Sequence, residues 1–356
     1  MAQLWQDFLD APGYLNHSPW FPNPLIAGRD MAISGYTETM NRLPWRGLGV
    51  WLDETVEWVD RSVVFELSCI TMPLFIAVFL TMLRLFLNWA LFTRIPVWFN
   101  LSKDGREKMP ESLWKGCFYT VTWVWACYII SSGEHNYFFD LRSQWNNWQP
   151  GISVDEAQYW LYMFQMGFYL HCCYATIYLE TIRRDFVVLM LHHILTLGLL
   201  LFSYIVRFHL IGLLVLFVQD IGDVALEFSK CMIYFKDRNG RTYYWPELIA
   251  NMGFGFFTIQ HVLFRLYWYP TKVIYSAVYV GPTVFKGGPW FLVFLPMLWG
   301  LYAMQVYWFR FIMRLLWKIV VKGEELADTR EFEEKGGDGE VKNGGPKKNK
   351  KQKKEQ

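Results

Sequence analysis

Long, mostly apolar runs recur along this chain, and they restrict its fold more than any other feature. Seven stretches, at residues 65–92, 114–131, 158–179, 186–206, 210–234, 249–270 and 290–320, are each long enough as helix to cross about 30 Å of hydrocarbon. Inside a bilayer the backbone must satisfy its own hydrogen bonds, so a spanning chain is either helical or a closed barrel. A barrel would read as short alternating segments of about ten residues, and the sequence has no such pattern. The expected class is an all-α polytopic membrane protein with about seven transmembrane helices. A composition that is 53% hydrophobic and 19% aromatic over 356 residues agrees with it.

The distribution of basic residues predicts the orientation. Arg94, Lys103, Arg106, Lys108 and Lys115 follow the first run, Arg183 and Arg184 the third, and Lys236, Arg238 and Arg241 the fifth. Arg310, Arg314, Lys318 and Lys322 end the seventh, whereas the alternate links are poorer in positive charge. By the positive-inside rule the N-terminus is lumenal and the C-terminus cytosolic.

Residues 1–64 form an N-terminal region with no signal-peptide pattern. Within it, Trp45 to Asp60 alternates apolar and acidic residues as an amphipathic helix does. Asn16-His17-Ser18 has the form of a lumenal glycosylation acceptor, disfavoured by Pro19. The tail, residues 323–356, turns into Gly, Lys, Glu and Asn from Glu333 on, a composition that predicts a disordered basic segment. It ends in Lys353-Lys354-Glu355-Gln356, the form of a dilysine retrieval signal to the endoplasmic reticulum. Six cysteines lack disulfide or CxxC spacing and read as buried helix residues; no resident metal or cofactor is expected.

Ionisable groups at membrane depth are costly, and they mark sites. His192 and His193 interrupt the fourth run; Asp220, Asp223 and Glu227, with Lys230 three residues further, interrupt the fifth. Only Arg207 to His209 separate the two runs, which predicts a tight hairpin whose polar residues share an interior. The i, i+3, i+7 spacing puts the acidic residues on one helical face. A carboxylate accepting from one imidazole nitrogen would fix the tautomer and leave the other nitrogen as base or nucleophile. Glu227 and Lys230 fit an ion pair near the cytosolic end equally well. Thr196 and Ser203 lie along the histidine helix. His171 reads as a supporting or pocket-lining residue, and His261 with Arg265 as further polar intrusions. Arg265 is expected to be either a structural anchor or a phosphate contact.

Taken together, Arg183-Arg184-Asp185-Phe186, His192-His193-Ile194, Thr196, Ser203-Tyr204, Gly212, Asp220, Asp223, Leu226-Glu227, Lys230 and Tyr234 resemble the longevity-assurance motif. That motif, here at about residues 183–234, belongs to the ceramide synthases of the TLC-domain family. The wider resemblance runs from about Met109 to Lys322. It implies six helices in a barrel around a lipid cavity, in the endoplasmic reticulum membrane. The implied reaction is N-acylation of a sphingoid base by a long-chain acyl-CoA, with acyl-CoA as co-substrate. His192 and His193 would be the catalytic pair, with Asp220 and Asp223 as partners, and His192 the nucleophile unless the order is reversed. His171, Thr196, Ser203, Glu227, Lys230 and Arg265 are the expected substrate-binding residues.

Many animal members carry a homeobox-like domain after the first span. The link of about 20 residues from Thr93 to Leu113 is too short for three helices. Together with Lys108-Met109-Pro110-Glu111-Ser112 and Phe264-Arg265-Leu266-Tyr267-Trp268, this is most similar to the type-1 members, which implies an 18-carbon acyl chain. The expected partners are acyl-CoA, the sphingoid base and membrane lipids, with a homo- or heterodimer as an open alternative and no nucleic acid. A di-iron desaturase needs HxxxH and HxxHH ligand sets that the seven histidines do not form. A non-enzymatic, lipid-sensing or transport TLC protein is the other reading.

Overall fold

The computed structural model describes residues 21–42, 48–132, 137–146, 148–284 and 291–323. The glycosylation acceptor, the start of the amphipathic stretch at Trp45 and the basic tail fall outside them. The fold is almost wholly helical. In chain order it comprises α1 (Pro24–Arg42), α2 (Leu48–Ser62), α3 (Ser68–Leu87), α4 (Lys103–Ser132), α5 (Glu156–Tyr178), α6 (Phe186–Ile205), α7 (His209–Lys236), α8 (Tyr244–Gln260) and α9 (Phe291–Lys322). α3 runs on through a π-helical turn, Asn88–Phe92, into Arg94–Trp98; α8 runs on through π-helical segments His261–Ile274 and Ser276–Val280.

A helix therefore stands at each apolar stretch read from the sequence. Among the described residues, Ser68–Trp98, Phe186–Ile205 and His209–Lys236 are long and apolar enough to cross a membrane. The outer faces agree with that environment: Phe75, Val78 and Met82 on α3, Val187 and Ile194 on α6, and Met252, Phe256 and Ile259 on α8 are exposed. Such a surface is stable against lipid and not against water. This is a membrane protein. The amphipathic stretch is helical from Leu48, and Trp58 turns inward to stack on Trp148 with ring centroids 6.4 Å apart.

Local sequence explains the ends and corners. Asp155 caps α5 by accepting from Ala157 N at 3.1 Å. Asn239 and Gly240, with φ of 52° and 68°, close the two-residue hairpin between strands β1 (Asp237–Arg238) and β2 (Arg241–Thr242). The hairpin between α6 and α7 forms as expected, with Arg207 at φ 64° making the reversal.

Small residues set the close helix crossings. A Cβ on Gly167 of α5 would come within 2.5 Å of Ile76 Cγ2 on α3. A Cβ on Gly212 of α7 would come within 1.8 Å of the Tyr162 hydroxyl, which is fully buried and donates to His209 O at 2.9 Å. Gly212→Ala is therefore expected to lower stability by about 1–3 kcal/mol through overpacking. Thermal unfolding of the purified protein checks it; an unchanged midpoint would show that Tyr162 can move aside.

Candidate active site

A cavity of about 380 Å³ opens between α4, α6, α7, α8 with its π-helical continuation, and α9. His192 and His193 line it from α6, Asp223 and Lys230 from α7, and Arg265 from the π-helical segment. The lining extends past Lys230 to Lys108 and Ser102 at the start of α4, and to Lys236 at the end of α7. One opening thus joins imidazoles buried at mid-helix to the basic links.

The two imidazole rings lie 5.9 Å apart, inclined at 52°, as expected for neighbours set about 100° apart round a helix. Tyr169 of α5 packs beside both, at 6.2 Å from His192 and 6.0 Å from His193. The indole of Trp308 meets His192 edge to face at 5.2 Å, and its Nε1 donates to Asp185 Oδ2 at 3.0 Å. Asp185 immediately precedes α6, so α9 is tied to the root of the histidine helix. Trp308 was not among the residues singled out in the sequence, because an aromatic in an aromatic-rich span carries no local signal.

The expected bond between a carboxylate and an imidazole is not formed. Nδ1 of both His192 and His193 lacks a hydrogen-bond partner among the described residues. Asp220 and Asp223 share a helix face only loosely: three residues is about 300° of turn, so the two diverge by about 60°. Asp220, fully buried, accepts from Gln165 Nε2 at 2.6 Å and Thr122 Oγ1 at 3.2 Å, and lies outside the cavity lining. It joins α7 to α4 and α5. Asp223 alone faces the cavity, and it accepts from Arg265 Nη2 at 2.8 Å.

Arg265 is an anchor. Its Nη2 also donates to Gln219 O at 2.6 Å and its Nη1 to Gln305 Oε1 at 3.3 Å, while Gln305 Nε2 donates to Gln219 Oε1 at 3.0 Å. Gly222 lets the guanidinium lie close against α7, since a Cβ there would stand 3.1 Å from Nε. A buried charge held by a carboxylate and several dipoles is the arrangement that low dielectric requires. Gln219 and Gln305 were missed in the sequence, though a glutamine inside an apolar run is itself a weak signal.

Four of the six expected substrate-binding residues stand elsewhere. His171 is enclosed between α3 and α5, where Thr81 Oγ1 lies 2.9 Å from Nδ1 and Arg84 Nη1 lies 3.4 Å from Nε2. Ser203 donates to Leu200 O at 3.1 Å and meets Tyr162 at 3.3 Å, so it serves the hairpin. Thr196 is buried outside the cavity lining. Glu227 pairs with Lys230 at 2.8 Å, the ion-pair alternative, and borders a separate apolar groove between α4, α7 and α8. Lys230 and Arg265 do line the cavity.

A charge network unnoticed in the sequence ties the first span to the rest. Arg84 Nη1 contacts Glu180 Oε1 at 2.9 Å, and Lys115 Nζ bridges Glu180 Oε2 and Glu111 Oε1, each at 2.7 Å. Arg183 Nη2 completes it on Glu111 Oε1 at 2.8 Å.

Comparison with known proteins identifies the family. A family model described as the TLC domain matches residues 108–314. The chain is 38% identical to human ceramide synthase 1 over 234 residues, 65% of this chain and 67% of that protein. It is 36% identical to mouse ceramide synthase 1 over 252 residues, 69% of this chain and 72% of its relative. Against mouse ceramide synthase 4 the identity is 30% over 226 residues, 63% of this chain and 54% of the other. The chain belongs to the TLC-domain family and, within it, stands with the ceramide synthases of the type-1 kind.

Proposed function

We propose that the protein is a sphingoid base N-acyltransferase, moving a fatty acyl group from acyl-CoA to sphinganine or sphingosine to give dihydroceramide or ceramide. The carrying observation is a single cavity that holds the His192–His193 pair, a guanidinium–carboxylate pair and a lysine-bearing end. The charged end suits the phosphates of CoA, which bind charge-assisted donors strongly. An imidazole suits the chemistry, since it can take an acyl group from a thioester or accept a proton near neutral pH. His192, held against Trp308, is assigned as nucleophile and His193 as orienter or proton acceptor. The reaction needs no group beyond acyl-CoA as co-substrate.

The basic links support a mouth on the cytosolic side with the N-terminus lumenal, and likeness to the ceramide synthases supports the endoplasmic reticulum as the membrane. By likeness to the type-1 members, the acyl chain is taken to have 18 carbons. Purified protein in lipid nanodiscs, given stearoyl-CoA and sphinganine, is expected to release CoA thiol and form N-stearoylsphinganine in equal amounts. Absence of the amide product overturns the assignment; higher kcat/KM with 16- or 24-carbon donors overturns the chain length alone.

A further inference from the structure

A third imidazole faces the same cavity and has no part in the mechanism above. His261 opens the π-helical segment, is 1% exposed, and lines the cavity together with His192, His193, Asp223 and Arg265. Its orientation is fixed on two sides: the ring stacks on Phe309 at 5.9 Å with 7° between planes, and meets Phe257 at 5.9 Å and 62°. Its Nε2 lies 3.3 Å from the backbone carbonyl of Gln305.

That contact settles the tautomer. A carbonyl oxygen only accepts, so the proton is on Nε2 and the lone pair is on Nδ1. Nδ1 is buried and has no hydrogen-bond partner among the described residues. A neutral imidazole whose far nitrogen donates to a carbonyl has its orientation fixed and an uncommitted lone pair on the other nitrogen. Neither His192 nor His193 has such a backbone acceptor among the hydrogen bonds of the described residues.

We propose that His261 is a further catalytic residue, accepting the proton that the amine substrate gives up as its nitrogen attacks the acyl carbon. This rests on the acyltransferase reading. In the step, the C–N bond of the amide forms and the bond from the acyl carbon to its leaving group breaks, whether that group is the CoA sulfur or a histidine nitrogen. An ammonium substrate loses two protons overall: one ends on the CoA thiol and the other leaves to solvent. A histidine that carries the acyl group has passed its own proton to the CoA thiol and takes up one amine proton only once the bond to the acyl carbon has broken, so it holds no free lone pair for that proton while the nitrogen attacks. His261 Nδ1 supplies a separate acceptor. The other charged and titratable groups lining the cavity are Asp104, Lys108 and Tyr119 on α4, His192 and His193 on α6, Asp223, Lys230, Tyr234 and Lys236 on α7, Asp237 on β1, and Arg265 on its own segment.

The test uses the purified protein in nanodiscs with stearoyl-CoA and sphinganine, comparing wild type, His261→Gln and His261→Ala. General-base removal is expected to lower kcat about 100-fold with KM for either substrate nearly unchanged. CoA release from stearoyl-CoA without amine is expected to stay at the wild-type rate. The deficit in kcat is expected to shrink between pH 7 and pH 9, as hydroxide takes over the proton that the attacking nitrogen loses, and added imidazole to restore part of the His261→Ala activity. Should His261→Ala fold poorly, His261→Gln, which keeps a donor for the Gln305 carbonyl, carries the test.

Variants with wild-type kcat overturn the proposal. So does a loss that is equal at every pH and accompanied by an equal loss of CoA release, since that is the behaviour of a packing residue. Wild-type protein that makes no amide defeats the acyltransferase reading itself, a result distinguishable from active wild type with unaffected variants.

Discussion

Replacing His192 and His193 together by alanine is expected to lower sphinganine N-acylation by about 10²–10⁴-fold, the range associated with losing a positioned general base. The two rings lie side by side on one wall of the cavity, so the double variant removes every imidazole that α6 offers. The single variants separate their roles. With labelled stearoyl-CoA and no amine, His192→Ala is expected to lose protein-bound acyl label, whereas His193→Ala is expected to retain it. Label that follows His193 reverses the assignment. Label in neither, with activity still lost, favours direct attack on the thioester with the pair acting as bases. Double-variant activity within about tenfold of wild type would remove the pair from the mechanism altogether. Thermal unfolding of each variant guards against misreading a folding defect as a chemical one.

Why the histidines were visible in the sequence, and several of their neighbours were not, follows from where each signal resides. A histidine pair in an apolar run stands out because burying it is expensive, and the three-residue link to α7 is readable as a hairpin without tertiary knowledge. The division of labour between Asp220 and Asp223 was not readable. It depends on Thr122 and Gln165 standing on one side of α7 and Arg265 on the other, residues 42 to 98 positions away along the chain. His171 misled for the same reason. It looks like a pocket residue by type and depth, but Thr81 and Arg84 of the first span enclose it. Trp308 and Gln305 come from the last helix, whose approach to α6 and α7 no local pattern records. Glu111 and Lys115 show i, i+4 spacing, yet their importance comes from Arg84 on α3 and from Glu180 and Arg183 in the link between α5 and α6, stretches remote from α4 along the chain.

That network carries the second large effect. Arg84→Leu leaves Glu180 with Lys115 alone, and Lys115 already serves Glu111. The side chains of Arg84 and Glu180 are 5% and 6% exposed, so water does little to relieve the unpaired carboxylate. A cost of about 3–5 kcal/mol is expected, the range for removing one partner of a buried pair. Arg84→Leu combined with Glu180→Leu is expected to melt closer to wild type than Arg84→Leu alone, because an apolar pair in that space carries no stranded charge. Equal melting of the single and double variants would count against the pairing. Acid gives an independent reading. Burial opposes ionisation of Glu111, but Lys115 and Arg183 outweigh it; for Glu180, Lys115 and Arg84 do the same. Both carboxyls are thus held below their usual 4.5. A depressed carboxylate contributes stability that is complete above its unfolded-state value and is lost as pH falls through the folded-state value. In Arg84→Leu the stranded Glu180 takes up a proton at a higher pH than the paired Glu180 of wild type, so the gap in melting temperature is expected to be widest at neutral pH and to narrow as pH falls. A gap unchanged from neutral pH down to about pH 4 would count against a stranded carboxylate as its origin.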